Sequence, residues 1–128
     1  MVDKDKFASV YEETRNGTDG FTRHSLVRSF AYSDGVKELA ELGSYWLLDL
    51  LATELPAEFR KNPDNAFCIV KVAVKDHAAL ITGEFTDNVV AWKKVIHMTD
   101  LPDGEWLFYV SDDKEPPTPY RMILPSEY

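Results

Sequence analysis

Ser33-Asp34-Gly35-Val36-Lys37-Glu38-Leu39-Ala40-Glu41-Leu42-Gly43-Ser44-Tyr45-Trp46-Leu47-Leu48-Asp49-Leu50-Leu51 decides the fold of this chain. Its apolar positions Val36, Leu39, Ala40, Gly43, Leu47, Leu50 and Leu51 are spaced by threes and fours, the period of an amphipathic helix. Ser33 is placed to cap the helix, with Asp34 in the first turn. Gly43-Ser44 is a point where the run can divide, Ser44 then capping a second helix. Pro56 ends the helical run or begins a short extra turn, because proline lacks the N–H that the next turn needs.

Upstream, Phe7, Val10, Tyr11 and Thr14 predict a short amphipathic helix over residues 3–14. Arg15-Asn16-Gly17-Thr18-Asp19-Gly20 reads as a loop. Residues 21–32 hold neither period and read as extended, with room for one short strand. Downstream the period changes to two after a polar break at residues 60–65. Strands are expected at 66–75, 78–86, 89–98, 105–111 and 120–124. In the first of these, Phe67, Ile69 and Ala73 share one face, and Cys68, Val70, Val72 and Val74 the other, as in a central strand. Turns are read at Lys75-Asp76-His77 and Thr86-Asp87-Asn88, and short connections favour an antiparallel meander. The expected architecture is α+β: N-terminal helices packed on one face of a four- to five-stranded antiparallel sheet, residues 1–128 forming a single domain.

The 128 residues are 45% hydrophobic and 12% aromatic, enough to fill a core without a metal or disulfide. The lone Cys68 cannot form an internal disulfide and lies in an apolar run, which suggests a buried, inert thiol. Met1-Val2-Asp3-Lys4-Asp5-Lys6 is not followed by an apolar segment, and no stretch has the length of a membrane span. A cytoplasmic protein without a membrane role is expected.

Fourteen Lys and Arg face 22 Asp and Glu, a formal net charge of −8. Such a surface repels phosphate backbones, so direct nucleic-acid binding is not expected. It suits a protein partner with a basic surface. Asp112, Asp113 and Glu115 are the candidate interaction residues. They lack the ligand spacing and glycine of a calcium loop. Gly17, Gly20 and Gly35 form no phosphate loop. No two of His24, His77 and His97 lie close enough in sequence to make a local metal pair. No cofactor or metal is expected.

His24 follows Arg23 in a loop, where catalytic groups often sit. Asp49 interrupts an apolar run, and a carboxylate in such surroundings can serve as a general base. Asp49 also falls off the helical stripe, so it can instead point to solvent or bind a nearby Arg or His. With Asp34, these are the candidate catalytic residues, in a pocket that Tyr45 or Trp46 would line.

Four blocks carry a resemblance: Tyr32-Ser33-Asp34-Gly35-Val36, Gly43-Ser44-Tyr45-Trp46-Leu47-Leu48-Asp49, Thr99-Asp100-Leu101-Pro102 and Leu124-Pro125-Ser126-Glu127-Tyr128. Together they are similar to a family of small bacterial proteins of unknown function, over a range from Thr18 to the C-terminus that includes Arg23-His24. The chain departs mildly from that family's pattern, with Ser33 for threonine, Ser44 for alanine and Leu101 for phenylalanine. The resemblance implies no activity. As structure, it implies a helix entry at Ser33 and Gly35, a turn at Thr99–Pro102 and a C-terminus tied back to the domain. The leading expectation is a non-enzymatic interaction protein, such as a phage or mobile-element inhibitor of a nucleic-acid-handling defence protein. The alternatives are a small enzyme or ligand-binding domain using His24, Asp34 and Asp49, and a homo-oligomer joined through exposed aromatics.

Overall fold

The structure, a computed structural model, describes residues 3–13, 20–85 and 90–128. Thr14, the loop residues Arg15 to Asp19, the turn Thr86-Asp87-Asn88 and Val89 lie outside them. The chain runs α1 (Lys4–Glu12), β1 (Phe21–Arg23), β2 (Phe30–Ser33), α2 (Asp34–Leu39), α3 (Tyr45–Lys61), β3 (Phe67–Lys75), β4 (Ala78–Phe85), β5 (Val90–Ile96), β6 (Gly104–Asp112) and β7 (Tyr120–Ile123), and closes with a 3₁₀ turn at Pro125–Glu127. The fold is α+β, as expected, but the sheet is larger than the four or five antiparallel strands read from the pattern. Among the described residues it has seven strands in the order β1-β2-β7-β6-β3-β4-β5, and β2 pairs with β7 in parallel.

Two features account for the difference. Strands β1 and β2 are 3 and 4 residues long, and all four residues of β2 are buried, so neither shows an alternating pattern. The meander also holds only from β3 to β5. Strand β6 returns to the other edge of β3. That step crosses three strand spacings, about 14 Å, well within the reach of the 97–103 connection.

Strand β3 is hydrogen-bonded on both sides, a central strand as its composition suggested. Its faces are unequal. Cys68, Val70, Val72 and Val74 are buried, whereas Ile69 stays 37% exposed. The buried set joins Leu47, Leu48, Leu51, Leu55 and Phe59 of α3 in one core cluster. Each fully buried Leu or Phe contributes about 1.5–3 kcal/mol.

The helical run divides at Gly43, which adopts φ 128°, ψ 14°. Only glycine takes that conformation without strain. The break rotates the helical face, so the buried stripe of α3 is Leu47, Leu48, Leu51, Ala52, Leu55 and Phe59, and Leu50 is only partly buried. Ser44 does not cap α3. Its hydroxyl donates back to the Leu39 carbonyl at 2.9 Å, because the turn at Gly43 aims it toward the preceding helix. Pro56 does not end the helix either. Helix α3 continues through it to Lys61. Burial of Leu55 and Phe59, each 1% exposed, offsets the roughly 3 kcal/mol that an interior proline costs.

Helix α1 packs through Phe7 and Tyr11 against Trp106 of β6, at ring-centroid distances of 4.8 and 5.1 Å. The Tyr11 hydroxyl accepts the Leu107 N–H at 2.9 Å. The shorter β7 pairs β6 only from Tyr109 to Asp112, so Tyr11 serves an amide that β7 does not reach. No helix among the described residues is long and apolar enough to cross a membrane.

Cys68 is buried and free. Burial pushes its thiol up from 9.0 to about 12. Native protein should therefore leave a thiol reagent unreacted at pH 8, and the thiol should react on denaturation. Above pH 9 the unfolded chain loses this proton before the folded one, so stability falls as pH rises from 9 toward 12. Cys68→Ala should remove part of that alkaline slope in urea titrations.

Candidate functional site

The imidazole of His24 is 4% exposed. Its Nδ1 accepts the N–H groups of Leu26, at 3.1 Å, and Val27, at 3.0 Å. A nitrogen accepting two amides carries no proton, so Nε2 bears it and donates to Asp49 Oδ1 at 2.7 Å. The structure therefore brings two of the three candidate residues together. Asp49 points outward with its side chain 61% exposed, as its place off the stripe suggested. Asp34 is not part of this pair. It is exposed and lies against Gly20, where an added Cβ would collide with its carboxylate.

A His–Asp pair orients a general base in many hydrolases, but there the second ring nitrogen must face substrate. Here that nitrogen is Nδ1, closed off by the loop's own backbone. The ring organises residues 24–30, whose chain also joins His24 N–H to the Phe30 carbonyl at 2.7 Å. Burial raises the Tyr32 phenol, with Tyr45, Asp49 and Glu41 adding to the effect.

A second polar site joins Ser33 to the C-terminal block, the tie-back that the resemblance implied, through Glu127, for which no role was expected. Glu127 is 3% exposed and Ser33 fully buried. The Ser33 hydroxyl donates to Glu127 Oε1 at 2.5 Å, and the Leu124 N–H donates to the same oxygen at 2.9 Å. Oε2 accepts the Gly35 N–H at 3.2 Å. The Ser33 hydroxyl in turn accepts the Val36 N–H at 3.2 Å, capping α2 as expected. The carboxylate thus spans both ends of the chain segment that α2 opens and the C-terminal turn closes. The spacing from Leu124 to Glu127 is that of a carboxylate reaching back to the start of its own turn, a local signal of a cap. Its partners across the fold carry no such signal.

The remaining blocks are also structural. The Thr99 N–H donates to the His77 carbonyl at 2.7 Å, Thr99 Oγ1 accepts the Leu101 N–H at 3.2 Å, and the Trp106 indole donates to the Pro102 carbonyl at 3.0 Å.

Of the candidate interaction residues, Asp113 and Glu115 lie 3.6 and 4.0 Å from Arg121. Asp112 Oδ1 accepts the Lys114 N–H at 3.0 Å. This cluster therefore carries less free negative charge than its composition suggests. His77 and His97 are exposed. Among the described residues, no three His, Cys, Asp or Glu side chains are grouped to hold a metal. Of Tyr45 and Trp46, either of which was expected to line a pocket at His24, Trp46 instead lines a cavity of about 350 Å³ with Gly43, Ile96, Met98, Thr99 and Asp100.

Fold and site together define an α+β domain whose mixed seven-stranded sheet is latched by a buried carboxylate and whose histidine organises a loop. The chain belongs to DUF6876, a family of unknown function whose family model matches residues 12–128. No curated protein and no solved structure matches it significantly.

Proposed function

We propose that this protein is a non-enzymatic interaction domain that engages a protein partner with a basic surface. The observation that carries the reading is the state of His24. Both ring nitrogens are committed, Nδ1 to two backbone amides and Nε2 to Asp49. Ser33 and Glu127 are spent in the same way on the C-terminal latch. The groups with catalytic potential hold the fold.

What is left for function is the surface. The chain carries a net charge of −8. Asp76, Asp100 and Asp103 are exposed and make no ion pair among the described residues. Fields of this kind speed encounter with basic partners. A nucleic-acid-handling protein is the partner class that best suits it, since an acidic domain can cover a groove built for phosphates. A free buried thiol is compatible with the cytoplasmic setting that such a partner implies.

Affinity capture from the native host at low salt tests this. Recovery of a basic protein, eluted by raised salt, is the expected result. Recovery of nothing, or of a partner indifferent to salt, sinks the reading. Charge reversal at Asp112, Asp113 and Glu115 should weaken capture only modestly, because Arg121 already offsets two of the three.

A further inference from the structure

Two cavities adjoin where the α2–α3 junction meets the β5–β6 connection. The first is the Trp46 cavity of about 350 Å³. The second, about 320 Å³, is lined by Lys4, Asp76, Asp103 and others, and shares Asp100 with the first. Gly43 contributes only backbone to the first wall, at the break its φ of 128° creates.

The first cavity is lined by residues whose hydrogen-bonding groups are unpaired within the described residues. Trp92 donates its indole N–H to Glu54 and Trp106 donates to the Pro102 carbonyl. The Trp46 N–H has no acceptor among the described residues. Thr99 is 4% exposed, and its hydroxyl accepts from Leu101 while its own proton meets no acceptor among the described residues. Asp100 is exposed without a cation partner among the described residues. Met98, 79% exposed, and Ile96 supply apolar wall.

Two free donors call for carbonyl oxygens. A free carboxylate beside an indole and a thioether calls for a cation on an apolar or planar stem. A phosphate-bearing ligand fails the second requirement, because Asp100 would repel it. A peptide segment with arginine meets both. Its guanidinium can stack on Trp46 and fork onto Asp100, and its main-chain carbonyls can take the Trp46 and Thr99 protons. We propose that the Trp46–Asp100 groove is the seat of an arginine-bearing segment of the partner protein. This rests on the reading of a basic partner and gives it an address. In the adjoining cavity Asp76, Asp100 and Asp103 outnumber Lys4, so its field adds to the attraction for the cation seated at Asp100.

The test is a titration of the full chain with the synthetic peptide acetyl-Gly-Arg-Gly-Arg-Gly-amide, followed by the three indole N–H resonances. Lysine and glutamate versions of the peptide run in parallel. The Trp46 resonance should shift saturably while those of Trp92 and Trp106 stay in place. The lysine version should bind severalfold more weakly and the glutamate version not at all. Asp100→Asn, a surface change that leaves the fold intact, should weaken arginine-peptide binding about tenfold, and Trp46→Ala at least as much. Asp64→Asn, an exposed change between α3 and β3, should leave it unchanged. No saturable Trp46 shift at millimolar peptide, or equal affinity in Asp100→Asn, overturns the proposal. The two readings fail separately. A salt-sensitive basic partner that Asp100→Asn captures in full would remove this site and leave the interaction role standing. Failure to capture any partner would remove that role.

Discussion

Replacing Glu127 with alanine should lower the free energy of unfolding by about 3–5 kcal/mol, the largest loss expected from any polar substitution in this protein. The residue sits in a three-residue 3₁₀ turn with little structure of its own. Yet its carboxylate is the acceptor for the Ser33 hydroxyl and for the Gly35 and Leu124 amides, in a site 3% exposed. Truncation leaves three buried donors without partners, at about 1–3 kcal/mol each before relaxation. Glu127→Gln should cost about half as much, because one amide oxygen still accepts while the new NH₂ meets a donor. Urea denaturation read by far-ultraviolet circular dichroism gives both values. A loss below about 1 kcal/mol for Glu127→Ala would mean that the latch does not hold the domain together.

The latch also predicts a sign change. A Cβ added at Gly35 would lie 2.8 Å from the Glu127 carboxyl carbon, so Gly35→Ala should destabilise the natural chain. In a Glu127→Ala background the obstruction is gone, and the same substitution should become neutral or mildly stabilising, by up to about 1 kcal/mol, since alanine suits a helix better than glycine. Ser33→Ala and Glu127→Ala should likewise cost less together than the sum of their separate losses.

What the sequence revealed and what it hid divide by distance along the chain. The stripe of α3 and the alternation of β3 repeat inside one element, so each announces itself. Strands β1 and β2 are too short to repeat. The parallel β2–β7 ladder joins Phe30 to Tyr120, far apart in sequence. Helix breaks were half legible. Gly43 marked the break correctly, but the rule that made Ser44 a cap assumed a regular helix start, and the turn at Gly43 sent its hydroxyl elsewhere. Pro56 was read by its local cost alone, while the packing that offsets it comes from Phe59 against Phe85 and Tyr120. At the site, Asp49 was legible as an outward residue in search of a partner. That the partner is His24, 25 residues away, depends on how β1 meets α3. Glu127 joins Ser33 across 94 residues, beyond any local pattern.

His24→Ala should cost about 2–4 kcal/mol, whereas Asp49→Asn should cost less than about 1 kcal/mol. The asymmetry follows from burial. The imidazole is 4% exposed and accepts two amides that would be left without a partner. The carboxylate is 61% exposed, and an asparagine oxygen at the same position still accepts from Nε2. A third variant separates a structural histidine from a catalytic one. In His24→Asn, the side-chain oxygen occupies the place of Nδ1, attached to the same γ carbon, and can accept the Leu26 and Val27 amides as an Asx turn does. It should therefore recover a large part of the stability that His24→Ala loses, although the Nε2–Asp49 bond is gone in both. If Nε2 and Asp49 were the important half of the pair, Asn would be as damaging as Ala, and Asp49→Asn or Asp49→Ala would rival them. Thermal unfolding of the four variants under one buffer decides between these orders. The order Ala worst, Asn intermediate and the Asp49 variants mildest is what a ring devoted to loop residues 24–30 requires.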